Sequence, residues 1–536
     1  MRARDVDDPR FRLHLSSPAR YSIAKNGLTY DGAPGWRNPS GSRADIEMSK
    51  RLRFLFLIAF LAPVFACDRV PDTSPTMVTQ WMHMLYGVVR AERASPPVGS
   101  RLFAYGAIAL YSGFSQTDST VPQIVGNFNG LDALPRGEAG KKYDPELVAL
   151  SSERIVLDSL LDESLPTIRA AVAHLSDSVE AARAKLVSSG IGADSKALGR
   201  ATGLAIVAWA HGDGFDSTRG RQYAAPVGDG LWVNDDPATL FAAQSISAAS
   251  QLVVPANPAN QMRSGGTDTR TLILDRAKPP SIKNIPAANM AGVTEPYWGY
   301  NRPFVLKGWN DCPAPMPPAY SKSAGTPLYE EARQVMEIGK KLTPDEKEIA
   351  LYWADNPGET ATPAGHWLSI GSQMIEERNL TAPQAAWMMA VTSSALADAF
   401  VSAWAYKFRL NLIRPRTFIR QTMDPTWEPA IPTPPFPEYL SGHSAVSAAA
   451  AAALTTLLGV TPFNDSTNVS IGHAARRFES FGAAAVEAGE SRIYGGIHFP
   501  SGNLEGRRLG ECIASRIARR LRVLPLQADS RFAKPN

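Results

Sequence analysis

The chain has 536 residues, of which 44% are hydrophobic and 20% are charged, and its formal net charge is +4. This length can bury a large core, and this composition excludes global disorder. The net charge is too small for the length to indicate a nucleic-acid partner, so we expect one or two globular domains that bind no nucleic acid.

An export signal is the first predicted element. A basic stretch from Lys50 to Arg53 precedes an apolar run from Phe54 to Phe65, and this order is typical of a signal peptide. The run is too short to span a bilayer stably. We therefore assign residues 48–66 to the signal, with Met48 as the expected true start. Residues 1–47 are then an untranslated upstream extension or a disordered segment.

The residues that close this run, Val64 to Cys67, resemble a bacterial lipobox. The resemblance implies cleavage before Cys67 and lipidation of its thiol. It predicts a bacterial protein that is exported and lipid-anchored on the extracytoplasmic, periplasmic side of the membrane. Beyond Cys67 only Cys312 and Cys512 remain, which allows at most one disulfide and excludes a Cys-rich metal site. No other apolar run reaches transmembrane length, so the lipid anchor is the only expected membrane contact.

Helical periodicity dominates the rest of the chain. Apolar residues recur at helical spacing between Pro166 and Ser189, and Ala/Leu-rich runs predict helices near 76–94, 97–114 and 195–210. Alternating strand patterns are scarce. We predict an all-α fold.

The fold is expected to have two helical-bundle halves. We assign the N-terminal helical half to residues 67–300 and the C-terminal bundle, with the oxyanion site, to residues 301–525. A Pro-rich passage from Pro279 to Pro318 lies between them. It is either a linker or an ordered strap over both halves.

The first functional motif is Lys407-x6-Arg414-Pro415. Thr381 and the proline two residues after it predict the start of a helix that runs to Phe408 or slightly beyond. If this helix continues to Arg414, Lys407 and Arg414 lie on one face, because seven residues make two turns. Trp404, one turn before Lys407, joins that face.

The second motif is Ser441-Gly442-His443. An Ala-rich run follows it and ends at Gly459, which predicts a helix that begins at the motif. A serine and a glycine at a helix N-terminus present N–H groups and a positive dipole end to an anion. Ser441 is a poor candidate for a hydrolase nucleophile, since no Gly-x-Ser-x-Gly turn surrounds it.

The third motif is Ser491-Arg492-x5-His498. Gly495 and Gly496 interrupt regular structure between Arg492 and His498, and His498 stands before another predicted helix. Together the three motifs supply three cations, a hydroxyl and a glycine amide, which suit a trivalent oxyanion. Two histidines remain for chemistry on it.

The order and spacing of these motifs resemble the superfamily of vanadium-dependent haloperoxidases and type 2 phosphatidic acid phosphatases. Its signature is Lys-x6-Arg-Pro, Pro-Ser-Gly-His and Ser-Arg-x5-His, matched here over residues 407–498. A looser resemblance to bacterial haloperoxidase-like proteins extends from Tyr297 through the Gly365-His366-Trp367 stretch and Asp398.

The resemblance implies that vanadate is the cofactor and that phosphate fits the same site. His498 would be the axial vanadium ligand and His443 the acid–base residue, while Lys407 would polarise a bound oxygen. The reaction implied is oxidation of a halide by hydrogen peroxide to a hypohalous acid equivalent. The oxygens of vanadate would be bound by Lys407, Arg414, Ser441, the Gly442 amide and Arg492.

Two other functions remain open. An acid phosphatase would form a phosphohistidine at His498 from a phosphomonoester, with His443 protonating the leaving alkoxide. A non-catalytic lipoprotein would bind an oxyanion without turnover. Trp404 and Phe436 resemble the aromatic pair that lines the halide pocket of chloroperoxidase-like members, and this favours peroxidase chemistry. The oligomeric state is open, with a homodimer as one alternative.

The chain departs from the signature at two positions. Leu440 replaces the proline of the second motif, and Gly502 stands where an aspartate commonly follows the third-motif histidine. A carboxylate there orients the histidine ligand, so its loss predicts weaker vanadate binding. Asn503 or a backbone carbonyl is the expected substitute.

The other histidines lack a convergent ligand pattern such as His-Glu-x-x-His. We expect each to be structural; they are His83, His174, His211, His366 and His473.

Overall fold

The structure is a computed structural model, and it describes residues 70–236 and 293–532. These residues belong to one compact unit. The predicted signal at 48–66, the upstream segment 1–47 and the lipidation site Cys67 lie outside the described residues.

The longest regular elements of the described N-terminal half are α-helices. Several of its helices begin with proline, which suits the first turn because the missing N–H has no partner there in any case. Asp144 caps the helix that begins at Pro145, and Ser188 caps the helix that begins at Ser189, by accepting the N–H groups of Leu147 and Ile191. The helices are α1 Thr76–Ala91, α2 Pro96–Thr117, α3 Pro145–Leu160, α4 Pro166–Ala184, α5 Ser189–His211 and the single turn α6 Phe215–Thr218.

The C-terminal half adds helices and one small hairpin. Strand β1 (Phe463–Asp465) pairs antiparallel with β2 (Arg476–Phe478). Short 3₁₀ turns lie at Trp298–Tyr300, Val469–Ile471 and Ser530–Phe532. The all-α prediction is therefore confirmed. The helices are α7 Pro327–Gly339, α8 Pro344–Tyr352, α9 Thr362–Glu377, α10 Ala382–Leu410, α11 Pro415–Thr422, α12 Gly442–Leu458, α13 Phe481–Tyr494 and α14 Pro500–Arg520.

Helix α10 is the central helix of the described structure. It packs against α2 from the N-terminal half and against α12 and α14 from the C-terminal half. Among the described residues it is also the one helix long and apolar enough to cross a membrane, so the expectation of no further run of that length is wrong. Its most apolar window is 100% buried inside the protein, as in the core helix of a globular fold.

The described end of the Pro-rich passage, residues 293–318, is tied to both halves. The Asp398 carboxylate on α10 accepts the backbone N–H groups of Phe304, Val305 and Leu306 at 2.6 to 2.9 Å. A disulfide joins Cys312 to Cys512 on α14. On the side of the N-terminal half, Nδ2 of Asn129 donates to Leu306 O at 2.6 Å. This part of the passage is therefore an ordered strap.

Candidate functional site

The chain leaves the helix between Lys407 and Arg414. Helix α10 ends at Leu410 because Asn411 adopts a left-handed conformation (φ 47°), which asparagine tolerates. The backbone of residues 411–413 then pairs outside the helix: Trp232 N–H donates to Asn411 O at 2.7 Å, and Ile413 N–H donates to Gly230 O at 2.9 Å. The predicted end of this helix, at Phe408 or slightly beyond, is confirmed. The condition that it continues to Arg414 is not met, and Arg414 reaches the site from the N-cap of α11.

Arg414 is completely buried and held by backbone oxygens. Its Nε donates to Phe436 O at 2.9 Å, and its Nη1 donates to Ile497 O at 2.7 Å. Nη1 also lies 3.1 Å from Nε2 of His498. The other terminal nitrogen, Nη2, is buried with no partner among the described residues. Burial lowers the pKa of the Arg414 guanidinium to about 9, so it stays charged at neutral pH.

Lys407 is also fully buried at the end of α10. Its Nζ donates to Pro437 O at 3.0 Å and to Glu438 O at 2.8 Å. Burial, and then the charge of Arg414, lower its pKa well below the ordinary lysine value. In its charged form the ammonium has three donors, so one N–H would then be left for a ligand.

Ser441 and Gly442 form the start of α12, as predicted. The Ser441 hydroxyl oxygen accepts the Ser444 backbone N–H at 3.3 Å and lies 2.9 Å from the Ser444 hydroxyl oxygen. Gly442 is the first helical residue, where an N–H has no partner within the helix. A Cβ on Gly442 would lie 3.3 Å from Cζ3 of Trp404, so the small residue lets the helix N-terminus approach that ring.

Arg492 lies in the last turn of α13 and His443 in the first turn of α12. Nη1 of Arg492 donates to Trp353 O at 2.7 Å, whereas its Nε and Nη2 are buried without a partner in the described ranges. The same holds for Nε2 of His443. Burial lowers the pKa of Arg492 to about 10. Burial, and then the charge of Arg492, lower the pKa of His443 well below its ordinary value.

His498 is anchored by a carboxylate that the sequence did not reveal. Its Nδ1 lies 2.8 Å from Oε1 of Glu438, and the same oxygen accepts the Phe499 backbone N–H at 3.0 Å. Burial, and then the charges of Arg414, Lys407 and Arg492, hold the pKa of His498 well below its usual range. The neutral ring therefore donates from Nδ1 to Glu438 and turns the lone pair of Nε2 toward Arg414.

The expected substitutes for an aspartate at position 502 are not used. The side chain of Asn503 accepts a hydrogen bond from the Ser444 hydroxyl instead of supporting His498, and the partner of the ring is a carboxylate, not a backbone carbonyl. That expectation is wrong. The only sequence signal for Glu438 is an acidic residue three positions before Ser441.

These residues form one buried group, which we call the anion cradle: Lys407, Arg414, Ser441, Gly442, Arg492 and His498. The charges of Lys407, Arg414 and Arg492 each lower the pKa of His498. Unpartnered buried N–H groups cost free energy unless a ligand accepts them, and Arg414 and Arg492 together present three such nitrogens. In the described parts of the chain, no group of three or more His, Cys, Asp or Glu side chains could hold a bare metal ion. The cradle thus fits an oxyanion such as vanadate or phosphate.

The predicted aromatic pair borders the cradle. The ring centroids of Trp404 and Phe436 are 5.0 Å apart. Nζ of Lys407 lies 5.0 Å from the Phe436 centroid and 5.8 Å from that of Trp404. Cζ of Arg414 lies 4.9 Å from the Phe436 centroid. Lys407 and Arg414 therefore face the pair of rings, Trp404 and Phe436, which we call the aromatic wall.

Three of the histidines expected to be structural contact carboxylates outside the cradle. His211 lies 2.7 Å from Asp216, and His473 lies 2.7 Å from Glu348. His366 is fully buried, with Nδ1 3.0 Å from both oxygens of Asp355 and Nε2 2.7 Å from Asp465. Burial alone would lower the pKa of His366, but the two carboxylates outweigh it and raise that pKa to about 10.

The position of His366 links it indirectly to the cradle. Its ring stacks on Trp353 with centroids 4.4 Å apart. The backbone oxygen of Trp353 is the acceptor for Arg492. The charged cluster of His366, Asp355 and Asp465 thus packs behind the residue that positions one cradle arginine.

Comparisons with known proteins agree with this geometry. Residues 387–524 match the family model of the VCPO second helical-bundle domain. The crystal structure of a bacterial vanadium-dependent iodoperoxidase is 30% identical, with a TM-score of 0.69, and the match covers 85% of this chain and 99% of that one. No curated protein matches the chain.

Two further structures, of bacterial vanadium-dependent chloroperoxidase in holo and apo forms, are 15% identical with TM-scores of 0.50 and 0.51. The matches cover 89% and 85% of this chain and 98% and 97% of those chains. At this identity the likeness shows a shared fold.

Proposed function

Because the chain belongs to the vanadium haloperoxidase superfamily, we propose that it oxidises a halide with hydrogen peroxide at the anion cradle and releases a hypohalous acid equivalent. The observation that carries the proposal is the set of buried, unpartnered N–H groups on Arg414 and Arg492 in the cradle that also contains His498. Such groups are costly until an anion accepts them.

Vanadate, when bound, supplies a Lewis acid that activates hydrogen peroxide without a change in its own oxidation state. Nε2 of His498 is the nitrogen that would ligate vanadium, because Nδ1 is engaged by Glu438. The oxygens would be held by Nη2 of Arg414, Nε and Nη2 of Arg492, the remaining N–H of Lys407, the Ser441 hydroxyl and the Gly442 amide.

His443 is proposed to move protons through its Nε2. The lowered pKa keeps the ring neutral at neutral pH, so Nε2 can accept a proton from hydrogen peroxide. It could then return that proton to the oxygen freed when the O–O bond breaks, and one further proton from solvent completes the balance, in which halide, hydrogen peroxide and one proton give hypohalous acid and water. A nearby arginine charge favours this cycle because it prevents the ring from remaining protonated.

The aromatic wall is the proposed halide side of the cradle. Trp404 is almost fully buried, whereas Phe436 is partly exposed. A halide over this wall would gain from the charge of Lys407, which lies near both rings. The 30% identity to an iodoperoxidase supports iodide as the first halide to test.

Acid phosphatase activity is the second candidate, because the same donors fit phosphate. In that reaction Nε2 of His498 would attack phosphorus as the bond to the alkoxide breaks, and His443 in its protonated form would protonate the alkoxide. Water would then cleave the phosphohistidine and release phosphate. The engagement of Nδ1 by Glu438 supports a nucleophilic Nε2 equally well. The aromatic wall and the likeness to haloperoxidases favour halide oxidation.

We also propose that the protein is an exported, lipid-anchored bacterial protein of the periplasmic side, modified at Cys67. The disulfide between Cys312 and Cys512 supports this location, since such bonds persist in oxidising compartments. Mass spectrometry of the membrane-bound protein should find a diacylated N-terminal Cys67. A chain that begins at Met1 would contradict the proposal.

The function is tested on purified protein that has been freed of phosphate and reconstituted with vanadate. We expect peroxide-dependent oxidation of iodide, bromide or chloride, lost in His498→Ala and retained in His211→Ala, a histidine outside the cradle. Hydrolysis of a phosphomonoester without halide oxidation would instead establish the phosphatase. Vanadate binding with neither activity would establish a non-catalytic oxyanion-binding protein.

A further inference from the structure

We propose that Glu438 is a positioning residue for His498, and that Gly502 is small because it shares space with the Glu438 carboxylate. The inference rests on the proposed function, because it concerns how the histidine is presented to the oxyanion. It assigns a role to a residue that lies outside the three motifs.

The contacts of the Glu438 carboxylate fix the orientation of the imidazole. Oε1 lies 2.8 Å from Nδ1 of His498 and accepts the next backbone N–H, that of Phe499, at 3.0 Å. The bond at Nδ1 determines which ring nitrogen carries the proton. It therefore leaves the lone pair of Nε2 directed into the cradle, and a carboxylate partner makes that nitrogen a stronger ligand.

Gly502 provides the room for this carboxylate. A Cβ at position 502 would lie 2.9 Å from both Cδ and Oε2 of Glu438 and still closer to Oε1. Real Cβ atoms do not approach other atoms so closely. Gly502 does not have a positive φ, so its backbone conformation is open to any residue. The reason for glycine here is steric, and a side chain at 502 and the present position of Glu438 exclude each other.

The backbone of Glu438 is itself held in place. Its N–H donates to Leu412 O at 3.0 Å, and its carbonyl oxygen accepts Nζ of Lys407 at 2.8 Å. Glu438 thus binds Lys407 through its backbone and His498 through its side chain. Because Glu438 is completely buried, its carboxylate has little freedom to take another position.

The relation between positions 438 and 502 predicts rescue. Glu438→Ala should weaken vanadate binding by about 10- to 100-fold, the usual cost of losing a group that orients a metal ligand. Gly502→Asp alone should also weaken it, because the new side chain collides with Glu438. In the double variant Glu438→Ala/Gly502→Asp the collision is gone and a carboxylate is again available. We expect its vanadate affinity to exceed that of either single variant.

The test measures vanadate and phosphate affinity by calorimetry on the full-length protein, with circular dichroism and Tm recorded for each variant. Gly502→Ala should displace the Glu438 carboxylate and lower affinity. Gly482→Ala is the matched control, because a Cβ on this helical glycine would lie 3.6 Å from Oγ of Ser480, an ordinary contact distance. Glu438→Gln keeps an acceptor of similar shape but no charge, and should lose less affinity than Glu438→Ala.

The outcomes separate this inference from the proposed function. Unchanged affinity in folded Glu438→Ala, or a double variant weaker than both single variants, would overturn the positioning role. Loss and rescue of affinity in a protein that oxidises no halide would support the positioning role and overturn the haloperoxidase proposal. A wild type that binds neither anion would overturn both.

Discussion

Nη1 of Arg414 lies 3.1 Å from Nε2 of His498, the nitrogen proposed to ligate vanadium. The arginine therefore hydrogen-bonds the same lone pair that the ligand would use. An incoming oxyanion must take over both partners, with the guanidinium moving onto its oxygens and the imidazole onto its central atom. This exchange makes Arg414 sensitive to geometry as well as to charge.

Arg414→Lys should weaken vanadate and phosphate binding by at least about 10-fold, because a lysine keeps the charge but cannot reproduce the planar fork. The native guanidinium reaches Phe436 O, Ile497 O and His498 from one rigid group. Calorimetric titration measures the loss. Arg516→Lys, on the exposed side of α14, is the control and should bind as the wild type does.

Oxyanion binding should raise the thermal stability of the protein. The unpartnered groups of Arg414 and Arg492 gain acceptors only in the bound state. At a ligand concentration of about 100 Kd, linkage predicts a gain of about 2.7 kcal/mol in the free energy of unfolding. Differential scanning fluorimetry with increasing vanadate measures it. A Tm that does not change with vanadate at saturating concentration would contradict the assignment of the cradle.

Phe436→Leu should raise the KM for halide several-fold and leave vanadate affinity unchanged. The contact that holds Arg414 uses the backbone oxygen of Phe436, so the substitution removes the ring from the aromatic wall without removing that acceptor. Steady-state kinetics at varied halide concentration, together with vanadate titration, separates the two effects. An equal weakening of halide binding and vanadate binding would show that the ring supports the cradle itself.

The free energy of unfolding should fall at alkaline pH, because His366 loses its proton there. Its pKa is raised to about 10 in the folded protein from an ordinary value of 6.5. Because the pKa is higher in the folded state, the protonated ring contributes its full stabilisation below pH 6.5. This contribution to the free energy of unfolding is lost as the pH rises toward 10, by up to about 1.4 kcal/mol per pH unit for one proton. Urea unfolding at pH 6.5 and pH 9.5 measures the change.

The variant His366→Gln isolates this contribution. It should be less stable than the wild type at pH 6.5, with a smaller difference at pH 9.5. His211→Gln is the control, because its ring is largely exposed. If the free energy of unfolding of the wild type and that of His366→Gln differ by the same amount at both pH values, His366 is not charged in the folded protein.

The Cys312→Ser/Cys512→Ser variant should lose about 2–4 kcal/mol in the free energy of unfolding. The disulfide closes a loop across 200 residues, and it ties the ordered strap to α14. Chemical denaturation measures the loss, and vanadate affinity should change little, because neither cysteine belongs to the cradle. Reduction of the wild type should give the same destabilisation.

The motifs predicted which residues could meet at one anion, because their side-chain chemistry and spacing are local properties of the sequence. The start of α10 after Thr381 and the start of α12 at Gly442 follow from capping rules. The route to Arg414 was not predictable in this way. It depends on backbone pairing of residues 411–413 with residues 230–232, a tertiary contact that overrides helix propensity.

Glu438 and the surroundings of His366 were missed for a related reason. Nothing near Glu438 in the sequence shows that Gly502 leaves space for its carboxylate. Asp355 and Asp465 flank His366 only after the hairpin and α9 have packed together. Glycine at 502 looked like the loss of a functional group, whereas in the fold it accommodates that group from another segment.

The pairing of residues 230–232 with residues 411–413 joins the motif-bearing bundle to the first half of the chain. Arg416, two residues beyond Arg414, also bonds to Asp235 O at 2.7 Å. A fragment confined to residues 301–525 would retain every motif residue and would still lack the segment that directs the chain from Lys407 to Arg414. The bundle alone is therefore an incomplete catalytic unit, and activity should be sought only in chains that retain both halves.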